Sequence, residues 1–179
     1  MFLFAEVVQI PAVALRYQNV YGAGQSLHNP YTGILAIFAN LARTDRPIKV
    51  FEDGMESRDF VHVEDAVEAT WQVMQDRVQT GVFNVGTGER VSVIQVARQV
   101  VEFFSSRSPV VVTGSFRHGD IRHSVADIAK LQKEIGYQPT CSFATGLKSF
   151  LSWAEEQEPV AVGYEEALAQ MRDHGLYHE

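Results

Sequence analysis

The apolar residues of this chain fall into short runs of two kinds, continuous runs of strand length and runs at helical spacing. Residues 10–17 (IPAVALRY) form a continuous run, which predicts a strand buried on both faces of a parallel sheet. Further short strands are predicted at 48–51, 82–85 and 110–113. Helices are predicted over 32–42, 65–74, 92–104, 129–135, 143–155 and 165–172. Strands that alternate with helices indicate α/β architecture, although these strands are too few for a complete doubly wound domain.

Residues 51–65 read as a strand end, a turn, a second extended segment and the start of a helix. Asp53-Gly54 is the turn signal, because Asp bonds its own backbone and Gly tolerates a positive φ. Arg58 places a permanent cation at the start of the second extended segment, among apolar neighbours. Such a residue either pairs with a carboxylate of the protein, for which the adjacent Asp59 is available, or binds an anionic ligand. Both alternatives stay open.

The composition excludes several classes of protein. The 179 residues are 46% hydrophobic and 21% charged, as in ordinary globular proteins. The net charge of −7 argues against nucleic-acid binding but not against a local cationic pocket. A single cysteine, Cys141, excludes an internal disulfide and indicates a reducing compartment. No apolar run of about 18 residues predicts a membrane span, and no cationic segment precedes the apolar start, so we expect a cytoplasmic, soluble protein.

Candidate binding groups lie in loops and at helix starts. Asn19 opens a glycine-rich loop at 19–25, at the strand end where α/β proteins bind ligands, and its amide could equally cap local backbone. Thr32 begins a helix, whose N-terminus attracts anions. Arg58, Arg117 and Arg122 are candidate anion clamps, and Asp120 is the nearby carboxylate that could instead pair with Arg117.

Two kinds of site are not predicted. The turn Gly86-Thr87-Gly88 follows a strand and precedes a helix, but it lacks the third glycine of the dinucleotide fingerprint and an acidic residue about 20 positions further on. We therefore expect a tight structural turn. The six histidines show no metal-ligand spacing, so the sequence predicts no metal site.

Five motifs occur in the order found in a known enzyme group. They are RYQNVYG at 16–22, NPYTGI at 29–34, FEDG with SRDFVHV at 51–63, FNVG at 83–86 and RHGD at 117–120. In them the chain resembles the nucleotide-sugar epimerases and dehydratases of the extended short-chain dehydrogenase/reductase group, most closely the dTDP-rhamnose 4-epimerase type. The resemblance implies an incomplete Rossmann-like α/β fold, with the last parallel strands of the nucleotide domain and a small mixed α/β substrate-binding domain.

The resemblance also implies which parts of such an enzyme are present. Residues 1–157 correspond to its substrate-binding C-terminal half, and 158–179 form a C-terminal helical extension. The family carries a glycine-rich NAD fingerprint and a catalytic Tyr-x-x-x-Lys pair before this region, and neither occurs here, since no tyrosine has a lysine four positions later. NAD is thus implied as the cofactor of the complete enzyme, with no catalytic residue in this chain.

Carried over to this sequence, the family's ligands form a pocket for a dTDP- or UDP-linked sugar. Asn19 contacts the sugar diphosphate, and the helix start at Thr32 and Gly33 lies against it. Arg58 and Arg117 clamp the phosphates.

The remaining implied ligands contact the nucleoside and the cofactor. Lys49 and Phe51 flank the base, and Asp120 accepts hydrogen bonds from the ribose hydroxyls. Tyr17 lies near the nicotinamide, as the one implied cofactor contact.

Three functions follow as alternatives. The chain is the substrate-binding half of such an enzyme, inactive alone or active when another chain supplies the first half. It is instead a non-catalytic sugar-nucleotide-binding module. Or it is a truncated product that self-associates, because a strand at 10–17 that lacks its sheet neighbours exposes an unpaired edge.

Overall fold

The structure, a computed structural model, describes residues 2–27, 33–75, 80–158 and 164–178. The helices are α1 Phe2–Val7, α2 Ile34–Arg43, α3 Val63–Gln75, α4 Val93–Phe103, α5 Ala129–Ile135, α6 Phe143–Glu156 and α7 Tyr164–Asp173. The strands are β1 Val13–Tyr17, β2 Asn19–Tyr21, β3 Ile48–Val50, β4 Ser57–Arg58, β5 Phe60–His62, β6 Gly81–Val85, β7 Val91–Ser92, β8 Val110–Val112, β9 Phe116–Arg117, β10 His123–Ser124 and β11 Tyr177–His178.

The strands pair mainly in parallel. β1 pairs with β6, β2 with β5, β3 with β8, and β10 with β4, all in parallel. The antiparallel pairs are β4 with β7 and β9 with β11. Between β1 and β2 the chain changes neighbours at Gln18, whose N–H donates to Val85, while the N–H of Asn19 donates to Asp59. Parallel strands joined through helices confirm the predicted α/β, partly Rossmann-like architecture.

The predicted helices are present with small shifts. Ser92 caps α4, its hydroxyl accepting from the N–H of Gln95 at 3.3 Å, as the capping-box pattern predicts. The N-cap of α2 is Gly33, one residue later than expected. Thr32 and the rest of the 28–32 segment lie outside the described residues.

Two expectations about the first strands are wrong. The strand predicted at 10–17 begins at Val13, and it is not buried on both faces, since its first three residues are half-buried and Arg16 and Tyr17 are exposed. Within the described ranges β1 pairs with β6 alone, so its other edge and much of its surface lack a neighbour. The segment predicted as a loop at 19–25 begins as strand β2, because its backbone continues the parallel ladder on β5.

The main core lies between α2, α4 and α6 and the strands β3 and β7. Its largest fully buried side chains include Leu35, Ile48 and Phe150. Gly146 in α6 allows the Tyr21 hydroxyl to approach the helix backbone, where a Cβ atom would collide with it. A second core cluster under β6 centres on Phe83.

The C-terminal residues join the main core. Leu168 of α7 and Tyr177 of β11 are 6% and 4% exposed and belong to the same cluster as α2 and α4. β11 pairs with β9, and the N–H of His118 donates to Leu176 at 2.9 Å. The segment predicted as an extension therefore helps to position β9. Among the described residues no helix is long and apolar enough to cross a membrane.

Candidate functional site

A cavity of about 260 Å³ opens at the carboxyl end of β2, between the start of α2, the turn after β3, and strands β4 and β9. We call it the charged cavity. Six of the predicted ligands line it: Asn19, Gly33, Phe51, Arg58, Arg117 and Asp120. The parallel register of β2 with β5 brings the end of β2 beside the 51–60 segment, and β10 holds β4 in place. Side chains far apart in sequence thus converge where α/β proteins bind ligands.

Arg58 is paired inside the protein, but not with its sequence neighbour. Its Nη2 donates to Asp120 Oδ1 at 2.7 Å, and its Nη1 donates to the carbonyls of Ser57 at 3.0 Å and Arg122 at 3.3 Å. The Arg58 side chain is 19% exposed and that of Asp120 is 37% exposed. A half-covered ion pair at the rim of a cavity is available for exchange with an anionic ligand.

Asp59, the partner that the sequence offered to Arg58, has another role. Its carboxylate is fully buried and accepts from the N–H and hydroxyl of Thr87, the N–H of Gly88 and the N–H of Ala126. A Cβ atom at Gly86 would lie 2.5 Å from the Asp59 carboxylate. The turn at 86–88 is therefore a structural turn around a buried carboxylate.

Arg117 and Phe51 form one wall of the charged cavity. The guanidinium carbon of Arg117 lies 5.0 Å from the centroid of the Phe51 ring, within cation–π range. On its own side Phe51 contacts Tyr177, with ring centroids 5.5 Å apart. The Nε atom of Arg117 is buried and has no hydrogen-bond partner among the described residues. One buried donor of Arg117 is therefore left without a partner beside the charged cavity.

Asn19 lines the charged cavity and also binds backbone. Its Nδ2 donates to the carbonyl of Asp59 at 3.0 Å, beside the bond from its own N–H to the same oxygen. The amide thus binds backbone, as the structural alternative expects, but the carbonyl lies 40 positions away in the sequence and not in the local loop. This bond fixes the side chain in position at the cavity wall.

Two predicted contacts lie away from the charged cavity. Lys49 is exposed between buried Ile48 and Val50 on β3, and it is not among the residues that line the cavity. Tyr17 is 44% exposed, and its hydroxyl lies 2.6 Å from the Thr70 hydroxyl on α3. The placement of these two beside base and nicotinamide stays a prediction.

Arg122, the third candidate clamp, is already engaged. It donates to Glu52 Oε2 and to Asp53 Oδ2, both at 2.6 Å. These bonds hold the pKa of Asp53 below its ordinary value, with the hydrogen bond from Arg122 as the largest cause. Carboxylate oxygens of Glu52, Asp53 and Glu56 lie within 4.8 Å of one another, and the single positive charge of Arg122 is shared between Glu52 and Asp53.

Sequence reasoning missed Glu56, which also lines the charged cavity. The residue is 6% exposed, and neither carboxylate oxygen has a hydrogen-bond partner among the described residues. Burial raises the pKa of Glu56, and the negative charges of Glu52 and Asp53 raise it further. The signal was its position two residues before Arg58, since alternate residues of an extended segment face the same side.

Among the described residues, the glycine-rich turn at 86–88 follows β6, a strand of the β1–β6 pair. This turn does not fit the pyrophosphate of NAD. The N–H groups of Thr87 and Gly88, which such a turn would direct at phosphate, donate to Asp59 instead. We therefore assign no NAD contact to this turn.

The parallel strands, the helices that connect them and a charged cavity at a strand end define an α/β protein with a cavity where proteins of this architecture bind ligands. A model of the NAD dependent epimerase/dehydratase family matches residues 3–86. The chain belongs to this family, and NAD is the family's cofactor, as the resemblance implied.

Individual relatives agree with this assignment. The chain is 36% identical over 148 residues to dTDP-L-rhamnose 4-epimerase of Burkholderia thailandensis, a match that covers 82% of this chain and 40% of that relative. Among solved structures it is similar to UDP-glucose 4-epimerase with UDP-glucose from Thermotoga maritima, with a TM-score of 0.79, 32% identity and coverage of 87% of this chain and 49% of the other. The UDP-glucose 4-epimerase of Thermus thermophilus in complex with NAD gives a TM-score of 0.73, 28% identity and coverage of 87% and 50%. The chain thus spans about half the length of these relatives.

Proposed function

We propose that this chain is the sugar-nucleotide-binding half of an NAD-dependent nucleotide-sugar epimerase or dehydratase that acts at C4 of the sugar. The observation that carries the proposal is the charged cavity, in which ligands predicted from separate motifs converge. Relatives named for dTDP- and UDP-linked sugars support a nucleoside diphosphate sugar as the ligand.

The diphosphate binds at Arg58 by exchange with Asp120. A phosphate offers the same oxygen acceptors as the carboxylate, and Arg presents a planar set of donors that suits both. Because the Arg58–Asp120 pair is partly solvent-exposed, its separation leaves neither group buried without a partner. Asp120 is then free to accept hydrogen bonds from the ribose hydroxyls.

Arg117, Phe51, Asn19 and Gly33 complete the binding site. The unpaired Nε of Arg117 donates to the second phosphate, and its packing on Phe51 holds the guanidinium at the cavity wall. Asn19, fixed by Asp59, contacts the diphosphate from β2, and Gly33 brings the start of α2 against it. Thr32 directly precedes Gly33 in the sequence, and we assign it to the same contact with the diphosphate.

The chain's own residues bind the ligand, and we assign them no step of the redox chemistry. The 179 residues contain no Tyr-x-x-x-Lys pair and no G-x-G-x-x-G fingerprint. A second segment or chain that supplies these features would pair with the free edge of β1 and cover the apolar surface beside it. We place the protein in the cytoplasm, as its cysteine content indicates.

Calorimetry of the full chain with UDP-glucose and with dTDP tests the proposed function. Arg58→Ala should lower the affinity for the nucleotide about tenfold or more, because charge-assisted hydrogen bonds contribute roughly 1.5–3 kcal/mol. Arg107→Ala is the matched control, since Arg107 forms an ion pair with Asp45 away from the cavity. Absence of binding heat for both nucleotides, or equal affinities for the two variants, would contradict the proposal.

A further inference from the structure

Glu56 is a buried carboxyl group that no described residue binds. The residue is 6% exposed, and both carboxylate oxygens lack a hydrogen-bond partner among the described residues. Its backbone is held firmly, because the carbonyl of Glu56 accepts the N–H of Val93 at the start of α4. An unpaired buried carboxylate is costly to the fold. An unpaired carboxyl group at a cavity wall is suited to a hydrogen bond with a ligand that enters the cavity.

Charged groups face Glu56 from several of the elements that border it. The turn after β3 brings Glu52 and Asp53, whose carboxylate oxygens lie within 4.8 Å of that of Glu56, and Arg122 bridges those two acids. Across the cavity the charged groups are Arg58, Arg117 and Asp120. His123 lies next to β4, with Nδ1 2.9 Å from the Ser57 hydroxyl, and α4 contributes Val93 and Ile94 without a charge.

These surroundings disfavour the ionised form of Glu56. Burial raises its pKa above the ordinary value of 4.5, and the charges of Glu52 and Asp53 act in the same direction. Its own backbone amide lowers the pKa by less than burial raises it but by more than either acidic charge does, and Arg122 lowers it least. A diphosphate placed between Arg58 and Arg117 would add negative charge to the same cavity and disfavour a carboxylate at Glu56 further.

We propose that Glu56 binds the ligand in its protonated form: the neutral carboxyl donates a hydrogen bond to an oxygen of the diphosphate, and binding takes up one proton from solvent. This inference rests on the proposed function. The proton enters at a Glu56 oxygen and no proton leaves the ligand, whose diester diphosphate has no group that titrates near neutral pH. Arg58 and Arg117 compensate the charge of the phosphates, while Glu56 supplies a neutral donor at a position where a carboxylate would repel them.

Calorimetry of UDP-glucose binding to the full chain, in buffers of different ionisation enthalpy between pH 6 and pH 8.5, measures the proton uptake. The wild type should take up a fraction of a proton that rises towards one with pH. Its affinity should fall by up to about tenfold per pH unit above the pKa of Glu56, as linkage requires for one proton. Glu56→Gln keeps a neutral donor of the same shape, so its affinity should be independent of pH and exceed that of the wild type at pH 8.

A neighbouring variant and the alternative outcomes separate this role from others. Glu52→Gln removes a charge from the same acidic group but leaves Glu56, so proton uptake should persist. Binding without proton uptake, or a Glu56→Gln variant weaker than wild type at every pH, would show that an ionised Glu56 accepts a ligand hydroxyl and would overturn the inference. A pH dependence unchanged in Glu56→Gln would assign the proton to another group, such as His123. Absence of binding by the wild type would overturn the proposed function as well.

Discussion

The charged cavity and the surface around β1 differ in how fully this chain covers them. The cavity is small, about 260 Å³, and its charged groups are held by β4, β9 and the turn after β3. The surface around β1, α1 and α3 instead forms an open groove of about 1040 Å³ lined mainly by apolar side chains. We call it the apolar groove.

Further apolar residues are exposed on the two helices that border the apolar groove. On α3, Val67, Trp71 and Met74 recur at helical spacing and are 61%, 55% and 72% exposed. On α1, Leu3 and Phe4 are 80% and 68% exposed. An apolar stripe of this kind normally faces a core. The charged cavity is thus enclosed by side chains of the described residues, whereas the β1 side leaves an apolar stripe exposed to solvent.

The largest expected effect comes from Asp59, which joins the two sides. Its backbone meets β2 at the cavity, and its carboxylate holds the turn that follows β6. Asp59→Ala removes the acceptor of several buried donors, so we expect a loss of roughly 3–5 kcal/mol in the free energy of unfolding. Urea denaturation followed by circular dichroism measures it.

The control for this variant is an acid in an exposed pair. Asp45→Ala breaks the Asp45–Arg107 ion pair, whose partners are 42% and 89% exposed, and the bonds from the Ser106 hydroxyl and the Arg107 N–H, and it should cost much less than Asp59→Ala. Equal losses for the two variants would show that the buried bonds of Asp59 do not stabilise the fold.

The alternation of side chains along extended segments limits which contacts and strands the sequence predicts. Six of the cavity residues were predictable because they stand in motifs shared with the family, whereas Glu56 was missed. The partner of Arg58 was not, because Asp59 points to the opposite side and Asp120 lies 62 residues away along the chain. The two-residue strands β7, β9, β10 and β11 were missed since they are too short to show a period, whereas β4 lies at the start of the predicted second extended segment.

The next effect concerns self-association, which we propose that the apolar groove mediates. Trp71→Glu combined with Met74→Glu places two charges on the exposed stripe of α3, which should lower self-association several-fold in sedimentation velocity experiments. Val111→Glu is the control, because Val111 is 42% exposed on β8, away from the groove. Association that persists in the α3 variant would move the contact surface elsewhere.

A smaller effect is expected at Glu56 in the absence of ligand. Because burial raises its pKa in the folded state, the folded protein binds the proton more readily than the unfolded chain, and ionised Glu56 destabilises the fold at higher pH. Glu56→Gln should therefore unfold at a higher temperature than wild type at pH 8. The gain should shrink as the pH falls and vanish below about 4.5, the ordinary pKa of glutamate.

Thermal unfolding at a series of pH values measures this difference. Glu52→Gln serves as the control, since Glu52 is bound to Arg122 and its replacement removes that contact rather than an unpaired charge. A Glu56→Gln variant that gains no stability at pH 8 would mean that the carboxylate is solvated.

The smallest effect is expected at Lys49, and it separates the two sources of the site assignment. The family resemblance puts Lys49 beside the nucleoside base, whereas in the fold the residue is exposed on β3 and does not line the charged cavity. Because alternate residues of β3 face opposite sides, burial of Ile48 and Val50 directs Lys49 outward. Lys49→Ala should therefore change the affinity for UDP-glucose by less than about twofold, as expected for a solvated charge that is largely screened by salt. Calorimetry at fixed ionic strength compares the affinities of Lys49→Ala and Arg58→Ala for UDP-glucose. A loss of affinity as large as that of Arg58→Ala would mean that β3 turns Lys49 towards the ligand when the ligand binds.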